Sequence, residues 1–143
     1  MSRFSSFIRI TPFKAWSAFV GWALVIFYLS SLTSTDLEVM PSELLAQDKL
    51  VHALAYSVGG IFLGIALRQT SRLRGIWLFA ASAVGIGLFG ASDELHQLFT
   101  PGRSGADFYD WIADMVGGSC AAFVYCWFHG NSARSSGPNP TTP

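Results

Sequence analysis

Four apolar runs, each near the length needed to cross a bilayer, constrain this chain more than any other feature. They cover about residues 13–32, 50–67, 75–90 and 108–128. A helix rises about 1.5 Å per residue and the hydrocarbon core is about 30 Å thick, so roughly 17–25 apolar residues suffice. The third run reaches that length only by continuing into the polar segment ASDELHQLF that follows it. Buried helices of a soluble bundle would carry a charged outer face, and these runs carry almost none. Only 13% of the residues are charged, 51% are apolar, and the mean hydropathy is +0.41. The expected fold class is therefore all-α, an integral membrane bundle of four transmembrane helices. Residues 1–12 form an N-terminal segment, 13–128 the helical domain, and 129–143 a Ser-, Pro- and Gly-rich tail expected to be disordered. A short helix is expected after Pro41, in the loop between the first two runs.

The first run follows Arg3, Arg9 and Lys14, as the core of a signal peptide would. Its apolar stretch exceeds the usual ~7–15 residues, and SSLTS is a poor cleavage site, so a retained helix is expected. Cys120 and Cys126 lie six residues apart in the fourth run. On a helix they point about 240° apart, which prevents pairing and leaves them as small apolar fillers.

Charge is sorted between the two ends of the runs. Arg3, Arg9, Lys14, Arg68, Arg72, Arg74 and Arg134, seven of the nine basic residues, fall on one side. All nine acids fall on the other, accompanied only by Lys49 and Arg103. The positive-inside rule counts lysine and arginine, so both termini are expected in the cytoplasm and the acidic side outward. A net charge of zero and the absence of a basic stripe argue against a nucleic-acid partner.

The acidic side has internal order. Asp48, His52 and Tyr56 are spaced by four residues and share a helix face, with Tyr56 about 12 Å below Asp48. Asp107, Asp110 and Asp114 follow an i, i+3, i+7 pattern in the fourth run. Asp93 and Gln97 share a face in the third, with Glu94 one position round. Pro101-Gly102 favours a tight turn that would aim Arg103 back toward the acids. An ionised carboxylate at mid-membrane costs about 2.5–3.5 kcal/mol on insertion scales, so Asp114 should face the bundle interior and meet partners there. Among the glycines, Gly60 and Gly64 form a small-xxx-small pair suited to helix packing. Trp111 and Trp127 are the tryptophans most expected to anchor at the membrane interface.

The blocks DKLVHALAYSVGG, DELHQLFTPGRSG and DWIADMVGG, in that order and each at a helix boundary, resemble the VanZ-like family of small bacterial membrane proteins. The resemblance covers about residues 15–128 and rests on Asp48, Lys49, His52 and Tyr56, on Asp93, Glu94 and Gln97, on Pro101, Gly102 and Arg103, and on Asp110, Asp114 and Gly117. Many relatives carry Asn where this chain has Asp114. The resemblance implies the bacterial cytoplasmic membrane and a role at the cell envelope; the founding member is associated with resistance to the glycopeptide teicoplanin.

The leading functional expectation is an outward-facing polar pocket that binds a membrane lipid or lipid-linked cell-wall precursor. Its residues are Asp48, Lys49, His52, Tyr56, Asp93, Glu94, Gln97, Arg103, Asp110 and Asp114, with Lys49 and Arg103 on a phosphate or carboxylate. A second copy of the chain is a further candidate partner. Two alternatives stand beside it: an intramembrane enzyme using His52 as general base, and a purely structural network. No nucleophile motif or H-E-x-x-H spacing is present, no cofactor is specified, and no metal site is expected, although His52 and His96 with nearby carboxylates are the residues that would supply one. Transport is disfavoured because the polar residues stop near one face. The orientation is tested by reporter fusions. A fluorescent protein at the C-terminus should fold and glow in the cytoplasm, and a phosphatase that works only outside should be active when fused near residue 45. A dark C-terminal fusion overturns the assignment.

Overall fold

Local chemistry starts the first helix where its apolar run begins. Thr11 caps the first helix, accepting a hydrogen bond from the Lys14 amide at 3.3 Å, and Pro12 opens it, where a missing N–H costs nothing. The computed structural model of the chain describes residues 10–33, 35, 48–103 and 105–129. Four helices dominate it: α1 (Pro12–Ser30), α2 (Asp48–Thr70), α3 (Gly75–Gln97) and α4 (Phe108–His129). Each is long and apolar enough to cross a membrane, and no strand occurs among the described residues. The polar extension of the third run does continue its helix, and α3 ends only at Gln97. The expectations for the N-terminal segment before residue 10, the helix after Pro41 and the tail from residue 130 lie outside the described residues.

The helices run alternately up and down. α2 packs most closely on α4, α3 also packs on α4, and α1 packs on α2 and α3 without reaching α4. The core is small and aromatic. Trp22, Ile26, Tyr56, Leu63 and Ile86 are buried together, with Trp22 edge-on to Tyr56 at a centroid separation of 5.4 Å. Such ring pairs contribute about 0.5–1.5 kcal/mol beyond the area they bury. The Trp22 indole N–H donates to the Ala55 carbonyl at 3.0 Å, so a polar atom in the core is satisfied. Outward-facing apolar side chains, among them Leu24, Val58, Leu88 and Val124, cover the flanks, as a lipid-solvated surface requires.

Close approach of α2 and α4 is made backbone to backbone. A Cβ added at Gly60 would collide with the Gly118 carbonyl, and one at Gly117 with the Ala53 carbonyl. Without side chains in the way, the two helices meet at two points seven residues apart on α2. Gly64, the other half of the expected glycine pair, does a different job, since its missing Cβ makes room for the Tyr125 ring. Trp111 corrects the sequence expectation. It is partly buried and its indole N–H donates to the Gly87 carbonyl at 3.0 Å, joining α4 to α3 rather than anchoring outward. Trp127, by contrast, is 70% exposed. Cys126 is buried and Cys120 exposed, both as free thiols.

Because the obstacle at Gly60 and Gly117 is backbone, which cannot move aside, alanine there should destabilise the bundle by about 1–3 kcal/mol, the usual range for overpacking. Gly21, whose Cβ would meet nothing within 4 Å, supplies the control. Thermal unfolding in detergent should show lowered midpoints for Gly60→Ala and Gly117→Ala and an unchanged or raised one for Gly21→Ala. Equal midpoints for all three contradict the backbone contact.

Candidate functional site

The polar residues gather at the end of the bundle where α2 and α4 begin and α1 and α3 finish. The contact of Ala53 with Gly117 sets the geometry there. His52 precedes Ala53, and Asp114 lies one turn before Gly117, so the two side chains meet with His52 Nδ1 2.9 Å from Asp114 Oδ1. Asp114 is wholly buried. A carboxylate so placed is tolerable only with a partner, since breaking a buried pair leaves an uncompensated charge. On the other side of the imidazole, Nε2 lies 3.7 Å from Asp48 Oδ1.

Lys49 forms the rim. Its ammonium pairs with Asp110 and also reaches Asp107 at 3.2 Å and Asp48 at 3.4 Å. Asp107 is not a member of the helical face but the residue that starts the helix. Its Oδ1 accepts the Tyr109 amide at 2.8 Å and the Asp110 amide at 3.4 Å, an N-cap at the positive end of α4. The Tyr109 amide first, and Lys49 after it, hold the Asp107 carboxyl below its ordinary range. The cap is therefore intact at neutral pH, and its contribution disappears as pH falls through that lowered value.

The third wall comes from α3 and the loop that folds back over its end. Thr100-Pro101-Gly102-Arg103 closes a turn with the Arg103 amide donating to the Thr100 carbonyl at 3.2 Å, and Gly102 takes φ 76°, as the third position of a type II turn requires. At Gly105 a side chain would strike the Leu98 backbone, and Ala106 adopts a left-handed φ of 61°. This brings two loop amides onto one residue. The Ala106 amide donates to the Glu94 carbonyl at 3.1 Å, and the Asp107 amide to Glu94 Oε2 at 2.7 Å. Glu94 thereby ties the end of α3 to the start of α4.

Asp93 belongs to a separate branch. Its Oδ2 accepts from Ser30 Oγ at 2.7 Å and from Gln97 Nε2 at 3.4 Å. Gln97 Oε1 in turn accepts from Arg103 at 2.9 Å, while Thr100 Oγ1 donates to the Ser30 carbonyl at 3.2 Å. This branch joins α1 to α3. Tyr56 is buried between the branches, with its hydroxyl near Asp93.

The ten residues expected from the sequence therefore occupy one end of the bundle but not one contact set. Asp48, Lys49, His52, Asp110 and Asp114 meet across α2 and α4, joined to Glu94 through Asp107. Asp93, Gln97 and Arg103 form the α1–α3 branch. Arg103 turns back as the Pro-Gly turn predicts, but it reaches Gln97, and no ion pair to a carboxylate occurs for it among the described residues. His96 stands apart, stacked on Phe27 and 3.0 Å from Ser31 Oγ. Sequence reasoning missed Ser30 and Thr100, whose small hydroxyls give no periodic signal. It also missed the cap role of Asp107, for which an Asp just before an apolar run was the available cue.

Four buried atoms in this end of the bundle have no hydrogen-bond partner: Tyr56 Oη, Asp93 Oδ1, Glu94 Oε1 and Asp114 Oδ2. Two sets of three side chains have the reach to hold a metal, Asp48 with His52 and Asp110, and His52 with Glu94 and Asp114. The arrangement as a whole can accept hydrogen bonds or a positive charge far more readily than it can bind an anion, because its cation is surrounded by acids.

No curated protein and no solved structure gives a significant match to the chain. A family model described as VanZ/LLP1 matches residues 1–129, a span that takes in all four helices and both branches of the polar cluster. With the three sequence blocks assembled at one end of a four-helix membrane bundle, the chain belongs to the VanZ-like family.

Proposed function

We propose that this VanZ-like protein sits in the bacterial cytoplasmic membrane with both termini inside, and that its outward-facing rim binds the headgroup of an envelope lipid or lipid-linked cell-wall precursor. The observation that carries the reading is the half-open state of the rim. The side chains of Asp48, Lys49 and Asp107 are 53%, 48% and 31% exposed at the end of a bundle that buries Asp93, Glu94 and Asp114 just beneath them. Leu50, Phe108 and Tyr109 are exposed on the same helix ends, so an amphiphile could lay its chain on apolar surface while its headgroup meets the acids. Lys49 is already engaged by three carboxylates and Arg103 by Gln97. Ammonium and hydroxyl groups are therefore better matched to this rim than phosphate, although a phosphate could compete for Lys49.

A network that served only to lock helices would be expected to satisfy its own buried groups, since each unsatisfied one costs about 1–3 kcal/mol. Glu94 Oε1 and Asp114 Oδ2, buried without a hydrogen-bond partner, weigh against that reading. A contribution to glycopeptide resistance is the expectation that comes with the family, and it would follow from capture of an envelope component; a second copy of the chain remains a candidate partner.

The test is lipid retention. Full-length protein purified in mild detergent should carry one lipid class in near-stoichiometric amount by mass spectrometry. Replacing rim acids, as in the Asp48→Asn/Asp107→Asn double variant, should reduce that class about tenfold or more, because a charged hydrogen bond contributes about 1.5–3 kcal/mol. Retention of the same lipids by wild type and variant, with both shown to be folded, sinks the proposal.

A further inference from the structure

We infer that His52, Glu94 and Asp114 form a site for one divalent first-row transition-metal ion, of the zinc class, inside the bundle beneath the rim. The three residues come from α2, α3 and α4, and one donor atom of each lies within 4.8 Å of the other two. An ion with bonds of ~2.0–2.1 Å to nitrogen and oxygen gathers its ligands well within that span. The independent observation is the pair of orphaned oxygens. Glu94 is 4% exposed and Asp114 is 0% exposed, yet Glu94 Oε1 and Asp114 Oδ2 have no hydrogen-bond partner. The other oxygen of Glu94 is taken by the Asp107 amide and that of Asp114 by His52. Glu94 is thus fixed by one oxygen and presents the other with its lone pairs unused, while Asp114 is held beside the imidazole by a contact that the ion would take over.

Charge decides the class of ion. Two carboxylates face one imidazole in a medium that penalises net charge. A protonated His52 neutralises only one of them, whereas a divalent ion bound by neutral His52 neutralises both. An imidazole ligand favours a first-row ion over magnesium or calcium, which prefer oxygen donors throughout. Three protein ligands leave a position open for water, the coordination typical of a reactive rather than a structural zinc site.

Without the ion, the 2.9 Å contact of His52 Nδ1 with Asp114 Oδ1 holds a proton. Metal binding at Nδ1 releases that proton to solvent. Asp48, 3.7 Å from Nε2 on the outer side of the ring, favours the tautomer with hydrogen on Nε2 and leaves Nδ1 for the metal. The alternative set, Asp48 with His52 and Asp110, shares the same imidazole but has Asp110 already paired with Lys49. The inner set is the better donor group. The inference does not rest on lipid binding, and either can fail alone.

The experiment uses full-length, detergent-purified protein stripped of metal and then given Zn2+. Elemental analysis after removal of free ion should find about one zinc per chain, with a raised thermal midpoint and a proton released into weak buffer. Mg2+ should reproduce none of these effects. Glu94→Gln and Asp114→Asn should each weaken zinc binding by more than about tenfold, whereas His96→Ala and His129→Ala should leave it intact. Wild-type protein that retains no zinc and shows no shift overturns the inference, as does binding that survives in Glu94→Gln or disappears in His129→Ala. Should the buried variants fail to fold, the wild-type protein still decides: zinc uptake without proton release places the ion away from the His52–Asp114 pair.

Discussion

The backbone contact of α2 with α4 is the constraint on which the polar end of this molecule depends. Gly60 against Gly118, and Ala53 against Gly117, let two helices approach more closely than any side chain would permit. In lipid the gain from such an approach is packing rather than the hydrophobic effect, since the acyl chains outside are as apolar as the core. The same approach puts His52 within 2.9 Å of Asp114. Were the helices separated by an ordinary side-chain layer, the wholly buried Asp114 would lose its nearest partner. Packing and electrostatics are thus coupled through a single geometric fact.

The loop between α3 and α4 adds the second coupling. Glu94 receives two amides from the returning chain, and the residue delivering one of them, Asp107, caps α4 and pairs with Lys49 of α2. Three helices are thereby tied by one short segment containing a type II turn, a tightly packed Gly105 and a left-handed Ala106. The strain at Ala106 is offset by the hydrogen bonds it permits. α1 is held differently, by the Trp22 contacts in the core and by Ser30 bonded to Asp93 near the end.

Much of this was legible in the residues because membrane helices have a simple grammar. Length and apolarity marked α1, α2 and α4, and the four-residue spacing of Asp48, His52 and Tyr56 announced their shared face. The continuation of α3 through ASDELHQ was readable because a 16-residue run is too short to cross alone. What could not be read was which helix meets which. The Asp93–Gln97–Arg103 branch is set by α1, and nothing in the spacing of those residues points to Ser30. Arg103 was expected at the acids because charge suggests it, but the tight turn carries it to Gln97. Trp111 likewise carries an interface residue's signal, and only the proximity of the Gly87 carbonyl turns it inward.

The polar cluster reaches a limited depth into the bundle. Eight residues separate Asp48 from Tyr56, about 12 Å of helix, and Asp114 lies at a comparable depth on α4. Further toward the opposite end, the interior is filled by Leu63, Ala66, Leu78, Ile86 and Ala122. Ser82 is also buried there, but its hydroxyl donates to the Leu78 carbonyl of its own helix at 2.9 Å and so offers no onward donor. Among the described residues, no chain of titratable groups links the acids to the basic side chains at the far end. A proton or cation relay needs such a chain or continuous water. Among the described residues the polar cluster is therefore confined to the end of the bundle where Asp48, Lys49 and Asp107 are exposed.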